Sequence, residues 1–221
     1  MKILVLGNAD QAAECKEKFG SLMNYVVFPS WREAGVPPDD THVVFDFVSA
    51  QGNLTSTIPS KLSATLFVDT SRSTLADWQA QYGVTDGKTY GFCGLKTFLQ
   101  REVLEVVLPV GGSLKDLESI CSALGTPFEI VADQAGMVTP RVICMIINEA
   151  YYTLEEGTAT KEDIDQAMKL GTNYPYGPFE WASRIGVQHV VSVLEAVYRE
   201  TLDERYRICP LLIEQVRLTQ V

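Results

Sequence analysis

The segment MKILVLGNADQAAE, residues 1–14, opens the chain and decides its fold. Four apolar residues, Ile3 to Leu6, lead into Gly7, and a helical pattern follows. A buried strand, a glycine turn and a helix in this order are typical of the start of a dinucleotide-binding domain. The segment therefore predicts a Rossmann-like α/β domain at the beginning of the chain.

The glycine fingerprint G-x-G-x-x-G of such domains is only partly present. Gly7 stands at its first position, but Ala9 and Ala12 stand at the second and third. Alanine is tolerated at the third position, whereas a methyl group at the second obstructs the approach of a pyrophosphate. Asp10 adds a carboxylate that would repel phosphate at the helix N-terminus. The segment predicts either a weakened NAD site at Gly7, Ala9 and Ala12 or a scaffold in which Asp10 caps the helix.

The acidic residue expected to bind the ribose is also missing. The second predicted strand ends in VVFPSW, where Ser30 occupies the position of the usual Asp or Glu. The nearest acid is Glu33, which lies beyond Pro29 and Trp31. NAD is therefore a possible but doubtful cofactor.

Composition indicates an ordinary globular protein. The 221 residues are 46% hydrophobic and 21% charged, and the formal net charge of −10 disfavours binding to nucleic acid. The five cysteines are widely spaced without a C-x-x-C pair, which predicts reduced thiols in the cytoplasm and no metal site. No apolar run is long enough for a membrane span, and the first is too short for a signal peptide.

The first half of the chain alternates apolar strand patterns with turns and helical patterns. Continuous apolar runs are typical of strands in a parallel sheet that is covered on both faces. A clear helix runs from the N-cap Ser113 to Leu124 and ends at Gly125. Residues 1–133 are therefore predicted to form a reduced Rossmann-like domain. Its predicted strands are Lys2–Leu6, Tyr25–Phe28, His42–Val48, Thr65–Val68, Thr89–Cys93, Val103–Leu108 and Phe128–Val131.

The strand patterns stop after Asp133, and residues 134–221 are predicted to form an all-helical domain. The predicted helices are Met137–Leu154, one that begins at Thr160 and closes at Gly171, Val187–Leu202 and Pro210–Leu218. Residues 142–147 are apolar all round, which indicates burial in a core or against another subunit. Asn148 beside them is a candidate functional residue; the favoured alternative is a side chain satisfied by hydrogen bonds within a helix-packed interface.

Residues 157–186, GTATKEDIDQAMKLGTNYPYGPFEWASRIG, resemble the C-terminal helical domain of the 3-hydroxyacyl-CoA dehydrogenases. The upstream segment AGMVTPRVICMIINEAYYTLEEG, residues 135–157, resembles the first helix of that domain. The resemblance implies an NAD-binding domain, dimerisation through the helical domain, and oxidation of the 3-hydroxyl group of an acyl-CoA. It also implies a histidine base, a glutamate that orients it, and a serine and an asparagine that hold the substrate. The tyrosines and prolines of NYPYGPFEW suit a site loop, but turn chemistry and packing explain them at least as well.

The two histidines, His42 and His189, do not fall where the family has its base. Aligning Glu105 with the family's glutamate places Cys93 at the histidine, whereas aligning Gly94 and Leu95 with the family's Gly-Leu pair places Lys96 there. Cysteine is a poor replacement because its thiol is protonated at neutral pH unless neighbours stabilise the thiolate. Glu105 is the candidate orienter, and the alternative is an ordinary strand carboxylate paired with Arg101 or solvent.

The remaining family positions are partly kept. Thr70 and Ser71 match the family's hydroxyl residues, so Ser71 is a candidate substrate contact; the alternative is a Ser/Thr turn that caps a helix over residues 73–78. Gly136 and Arg141 match the family, but Pro140 replaces its substrate-binding asparagine. The segment between the second and third strands is too short for the family's helical arm, which puts acyl-CoA binding by the usual route in doubt.

These departures predict a short, degenerate family member whose usual reaction is weak or absent, in effect a pseudoenzyme. The resemblance implies that it forms homodimers through the helical domain. The alternatives are a non-catalytic homologue that binds an acyl-CoA or another anion, and a structural subunit that pairs with a complete dehydrogenase.

Overall fold

The computed structural model describes residues 1–51, 58–59, 62–84 and 87–219. The chain divides into two compact units, Met1–Met137 and Val138–Val221. The first unit contains a seven-stranded sheet and four α-helices among its described residues. The strands are β1 (Lys2–Leu6), β2 (Asn24–Phe28), β3 (Val43–Asp46), β4 (Thr65–Asp69), β5 (Thr89–Phe92), β6 (Leu104–Val107) and β7 (Phe128–Val131). The helices are α1 (Ala9–Phe19), α2 (Trp31–Ala34), α3 (Leu75–Tyr82) and α4 (Leu114–Leu124).

The sheet has the strand order β2-β1-β3-β4-β5-β6-β7, and its first five strands are parallel. The predicted parallel sheet is confirmed for these five strands. The last two strands depart from it, because β6 runs antiparallel to β5 and β7 runs parallel to β6. The connection from β5 to β6 contains turns but no helix. Without a crossover helix, β6 can join the sheet beside β5 only by turning back.

The core of the first unit is built from aromatic rings on the central strands. Phe45 on β3 stacks on Phe67 of β4, with the ring centroids 5.1 Å apart, and Phe92 of β5 meets both rings edge-on. All four residues of β3 are buried, as expected for a strand covered on both faces. Helix α4 packs Leu117, Cys121 and Leu124 into this core and ends at Gly125 in the left-handed conformation, as predicted.

The segment that leads out of the first unit is fastened to the start of α3. The carboxylate of Asp133 accepts hydrogen bonds from the amides of Leu75 and Ala76 at 2.6 and 2.9 Å. The amide of Gly136 donates to the carbonyl of Ser71 at 3.2 Å. These contacts explain why residues 133–137 are part of the first compact unit.

The second unit is helical throughout its described residues apart from turns. It contains α5 (Thr139–Glu155), α6 (Lys161–Thr172), α7 (Pro178–Ile185), α8 (Val187–Thr201), a 3₁₀ turn (Glu204–Tyr206) and α9 (Pro210–Thr219). Thr160 caps α6 as predicted, but α6 does not close at Gly171. It continues to Thr172, because Asn173 supplies the left-handed C-terminal residue with φ of +57°. None of the helices described is long and apolar enough to cross a membrane.

Candidate functional site

The carboxyl ends of β1 to β5 meet at one edge of the sheet, and the strand order reverses at β1. Ligands of open α/β sheets bind outside the carboxyl ends of the strands at such a reversal. This edge carries the loops that begin at Gly7, Phe47, Thr70 and Cys93. The predicted residues Gly7, Ser71 and Cys93 therefore lie at the same edge.

The first turn of α1 is closed by a reciprocal pair of hydrogen bonds. The side chain of Asn8 accepts from the amide of Gln11 at 3.0 Å, and the side chain of Gln11 accepts from the amide of Asn8 at 2.9 Å. The prediction that Asp10 caps this helix was wrong, because Asn8 is the N-cap. Asp10 is exposed, and its Oδ2 lies 3.5 Å from Nζ of Lys96. At the second and third fingerprint positions, Ala9 is exposed and Ala12 is buried.

The residues that follow β2 are held by hydrogen bonds from their own side chains. Ser30 caps the short helix α2, where its Oγ accepts from the amide of Glu33 at 3.4 Å. The next residue, Trp31, is buried, and its indole Nε1 donates to Asp46 Oδ2 at 2.6 Å. Asp46 also accepts from the amides of Val48 and Ser49, both at 2.9 Å. Burial raises the pKa of Asp46, and these hydrogen bonds oppose the shift.

A second buried aspartate, Asp69, fastens the loop after β5 to the end of β4. Its carboxylate accepts from the amides of Ser71 and Gly94 at 3.1 and 2.9 Å and from Arg72 at 2.9 Å. A Cβ at Gly94 would lie 2.8 Å from the Asp69 side chain, so only glycine fits there without a shift. The sequence analysis singled out neither Asp46 nor Asp69. The signal was an aspartate that ends each of two apolar strands.

The structure brings Cys93 and Glu105 together. Phe92 pairs with Val106 in the antiparallel ladder, so the next pair of positions is Cys93 and Glu105. The thiol is buried, and its pKa is raised first by burial and then by the negative charge of Asp69. Glu105 forms the ion pair with Arg101 that the sequence allowed, at 2.7 Å. A thiol in this setting stays protonated at neutral pH.

Ser71 is buried at the same edge. Its Oγ has no hydrogen-bond partner among the residues that the structure describes. The adjacent turn does cap a helix, as the alternative interpretation expected. The cap is Thr74, and α3 runs from Leu75 to Tyr82 rather than over the predicted residues 73–78. The role of Ser71 as a substrate contact stays a prediction.

The loop after β5 is fastened to α1 along its length. Glu14 Oε1 accepts from the amide of Thr97 at 3.0 Å, and the Glu14 carbonyl accepts from the side chain of Gln100 at 3.0 Å. Lys18 donates to the carbonyl of Glu102 at 2.9 Å. His42 lies at the opposite edge, because it precedes β3, and His189 is on α8 of the other unit.

In the second unit, the motif of residues 157–186 holds α6 against α7. Asp165 on α6 accepts from the amides of Phe179 and Glu180 at 2.7 and 3.1 Å. Glu180 in turn accepts from the amide of Gly177 at 3.1 Å and from Lys169 at 3.0 Å. These contacts support the structural explanation of the NYPYGPFEW segment.

Asn148 on α5 is satisfied, as expected. Its Nδ2 donates to the carbonyl of Arg207 and its Oδ1 accepts from the amide of Cys209, both at 2.9 Å. The residue thus ties α5 to the start of α9. Within the described part of the chain, no three His, Cys, Asp or Glu residues are grouped so that they would hold a metal ion.

Residues 136–220 match the family model described as 3-hydroxyacyl-CoA dehydrogenase, C-terminal domain. The 3-hydroxyadipyl-CoA dehydrogenase of Escherichia coli (strain K12) is 46% identical over 88 residues, which are 40% of this chain and 18% of that protein. The 3-hydroxybutyryl-CoA dehydrogenase of Bradyrhizobium diazoefficiens is 40% identical over 93 residues, which are 42% of this chain and 32% of that protein. The matches to curated relatives thus span a third or less of these two proteins.

The fold of the whole chain is similar to that of solved dehydrogenases. The crystal structure of (S)-3-hydroxybutyryl-CoA dehydrogenase PaaH1 from Ralstonia eutropha superposes with a TM-score of 0.76 at 20% identity and covers 99% of this chain and 94% of that chain. Mycobacterium tuberculosis FadB2 superposes with a TM-score of 0.73 at 17% identity, over 99% and 94% of the two chains. These likenesses show a Rossmann-like sheet followed by a helical part. The sequence match of residues 136–220 covers less than half of this chain, and over those residues the chain is similar to the C-terminal domain of the 3-hydroxyacyl-CoA dehydrogenases.

Proposed function

We propose that this chain is a 3-hydroxyacyl-CoA dehydrogenase homologue in which the family's usual oxidation of the 3-hydroxyl group is lost or very slow. The observation that carries the proposal is the buried thiol of Cys93, which lies beside Glu105 where the alignment expects the base. A general base must be unprotonated near the working pH. Burial and the charge of Asp69 raise the pKa of Cys93 and therefore favour the protonated thiol.

The neighbours of Cys93 do not favour proton transfer either. Glu105 is engaged with Arg101 at 2.7 Å, and its negative charge raises the pKa of the thiol further. Lys96, the other candidate for the base, is directed to Asp10 on α1, with 3.5 Å between Nζ and Oδ2. The side chains at this edge thus hold the loops in place, and none of these candidates is arranged to accept the hydroxyl proton.

The proposal is tested by following NADH oxidation with acetoacetyl-CoA. A positioned general base contributes about 100- to 10,000-fold to a rate. We therefore expect turnover at least about 100-fold below that of the Ralstonia eutropha enzyme assayed alongside. Turnover within about tenfold of that enzyme would overturn the proposal, and loss of that turnover in Cys93→Ser would identify Cys93 as the base.

A second candidate function, the formation of homodimers, rests on the helical unit. An apolar groove of about 470 Å³ lies between α5 and α6, lined by Ile146, Ala150, Ile164, Met168 and Pro178. One turn before Ile146, the side chain of Val142 is 52% exposed on α5. An apolar groove with an exposed valine one helical turn away is a candidate interaction surface. We propose that a second copy of the chain covers it.

Light scattering of the purified full chain tests this candidate. A chain of 24.4 kDa is expected to elute with twice that mass, and Val142→Glu is expected to shift it to the monomer. Leu22→Glu is the matched control, because Leu22 is fully exposed in the first unit. A monomeric wild type at micromolar concentration, or an equal effect of both substitutions, would contradict the candidate.

A further inference from the structure

The family implies NAD as cofactor, and the geometry of the first unit tests whether NAD fits. A dinucleotide bound to such a sheet places its pyrophosphate on the first turn of the first helix, close to the first glycine. Its ribose reaches an acidic residue at the end of the second strand. In this chain the corresponding places are the turn from Gly7 to Gln11 and the segment at Ser30 and Trp31.

The place of the pyrophosphate is taken by the side chain of Gln11. A Cβ built on Gly7 would lie 2.3 Å from Gln11 Oε1 and 3.1 Å from Gln11 Cδ, so the amide group rests directly against the glycine. The same oxygen accepts a hydrogen bond from the amide of Asn8, and Oδ1 of Asn8 accepts a hydrogen bond from the amide of Gln11. Two of the backbone donors that a phosphate needs are therefore already bonded within the helix turn.

The place of the ribose is taken by Trp31. Phe28, Leu6 and Asp46 are aligned partners at the carboxyl ends of β2, β1 and β3. Because β1 separates β2 from β3, those two strands are about 10 Å apart. The indole of Trp31 begins just beyond β2 and ends 2.6 Å from Asp46 on β3, so it crosses the carboxyl end of β1.

This crossing is tightly held. Trp31 is 1% exposed, and Asp46 is fully buried with all its bonded donors inside the same edge of the sheet. Moving the indole would leave the buried carboxylate of Asp46 without one of its donors, which is a costly change in a place away from water. The crevice where the strand order reverses is thus filled by a side chain of the protein.

We infer that Gln11 and Trp31 replace the dinucleotide at the carboxyl edge of this sheet, and that the chain does not bind NAD. The residues present do not fit the cofactor that the family implies. This inference goes beyond the proposed loss of the reaction, since a protein without a base can still hold the cofactor. NADH binding without turnover would overturn the inference and leave the proposed function standing.

The test is a titration of the full chain with NADH. Binding is monitored by calorimetry and by the NMR signal of the Trp31 indole N–H. Trp31→Phe identifies that signal by its disappearance. We expect no saturable heat at millimolar NADH, and an indole proton that exchanges slowly with solvent and does not shift. The Ralstonia eutropha enzyme is the positive control for heat.

Saturable NADH binding would overturn the inference, whether or not the indole signal moves. Rapid exchange of the Trp31 indole proton in the free protein would also overturn it, because a side chain that fills the crevice must be shielded from water. Absence of heat together with a protected, unshifted indole proton is the result that supports it.

Discussion

The substitution Gly177→Ala tests how the family motif stabilises the helical unit. Gly177 has φ of −74° and ψ of 165°, a conformation that any residue adopts, so an added methyl group costs only space. Its Cβ would lie 2.3 Å from Cγ and Oδ1 of Asp165. The carboxylate must therefore move away from the amides of Phe179 and Glu180, which it now caps at 2.7 and 3.1 Å.

The expected magnitude follows from those two effects. Overpacking a filled site costs about 1–3 kcal/mol, and loss of a helix cap costs about 1 kcal/mol. We expect Gly177→Ala to lower the free energy of unfolding by about 2–4 kcal/mol. Gly171→Ala is the matched control: Gly171 lies inside α6 with nothing within 4 Å of its Cβ position, so alanine is expected to stabilise by up to about 1 kcal/mol.

The assay is urea unfolding of the full chain, monitored by circular dichroism. A second measurement is the rate of hydrogen exchange at the amides of Phe179 and Glu180. We expect faster exchange at both amides in Gly177→Ala and unchanged exchange in Gly171→Ala. If the two variants differ by less than about 0.5 kcal/mol, the reasoning from Asp165 is refuted.

Three further expectations concern buried polar groups. Burial raises the pKa of Glu14, so the folded chain binds its proton more tightly than the unfolded chain, and stability falls as pH rises from the reference value of 4.5 through the raised value. Glu14→Gln keeps an acceptor for the amide of Thr97 but has no carboxyl group to titrate, so its stability does not fall in this way. The melting temperature of the variant minus that of the wild type should therefore be larger at pH 7 than at pH 4.5, and an equal difference at both pH values would contradict the assignment. Asn148→Ala should destabilise by about 2–4 kcal/mol in urea unfolding, because the carbonyl of Arg207 and the amide of Cys209 both lose a partner, and a loss below about 1 kcal/mol would refute this. All five thiols are buried, so a thiol-reactive dye should label none in the native chain and five after unfolding, and fast labelling of one native thiol would show that it is not buried.

The strands were predictable because each is a short apolar run, and each of the seven predicted segments overlaps one observed strand. The direction of β6 was not predictable, because an apolar run carries no information about the orientation of a strand. Direction depends on the connection, and the turns between β5 and β6 were not recognised as excluding a crossover. The closing of α6 at Asn173 was missed because glycine was taken as the stop, although asparagine also adopts the left-handed conformation.

The local part of the candidate site could be predicted, whereas its long-range part could not. The pair Asn8 and Gln11 has the spacing of a capping box and was visible in the sequence, although Asp10 was chosen as the cap. The contact of Trp31 with Asp46 joins the first residue of α2 to the end of β3, and no local pattern indicates it. The catalytic roles assigned to Ser71, Cys93 and Glu105 stay predictions.

A crystal structure of the full chain grown with NADH and acetoacetyl-CoA tests the central claim most directly. We expect Gln11 to remain hydrogen-bonded to the amide of Asn8 and the indole of Trp31 to remain on Asp46, with no dinucleotide at the carboxyl edge. A dinucleotide seated on the first turn of α1, with Gln11 and Trp31 displaced, would contradict it.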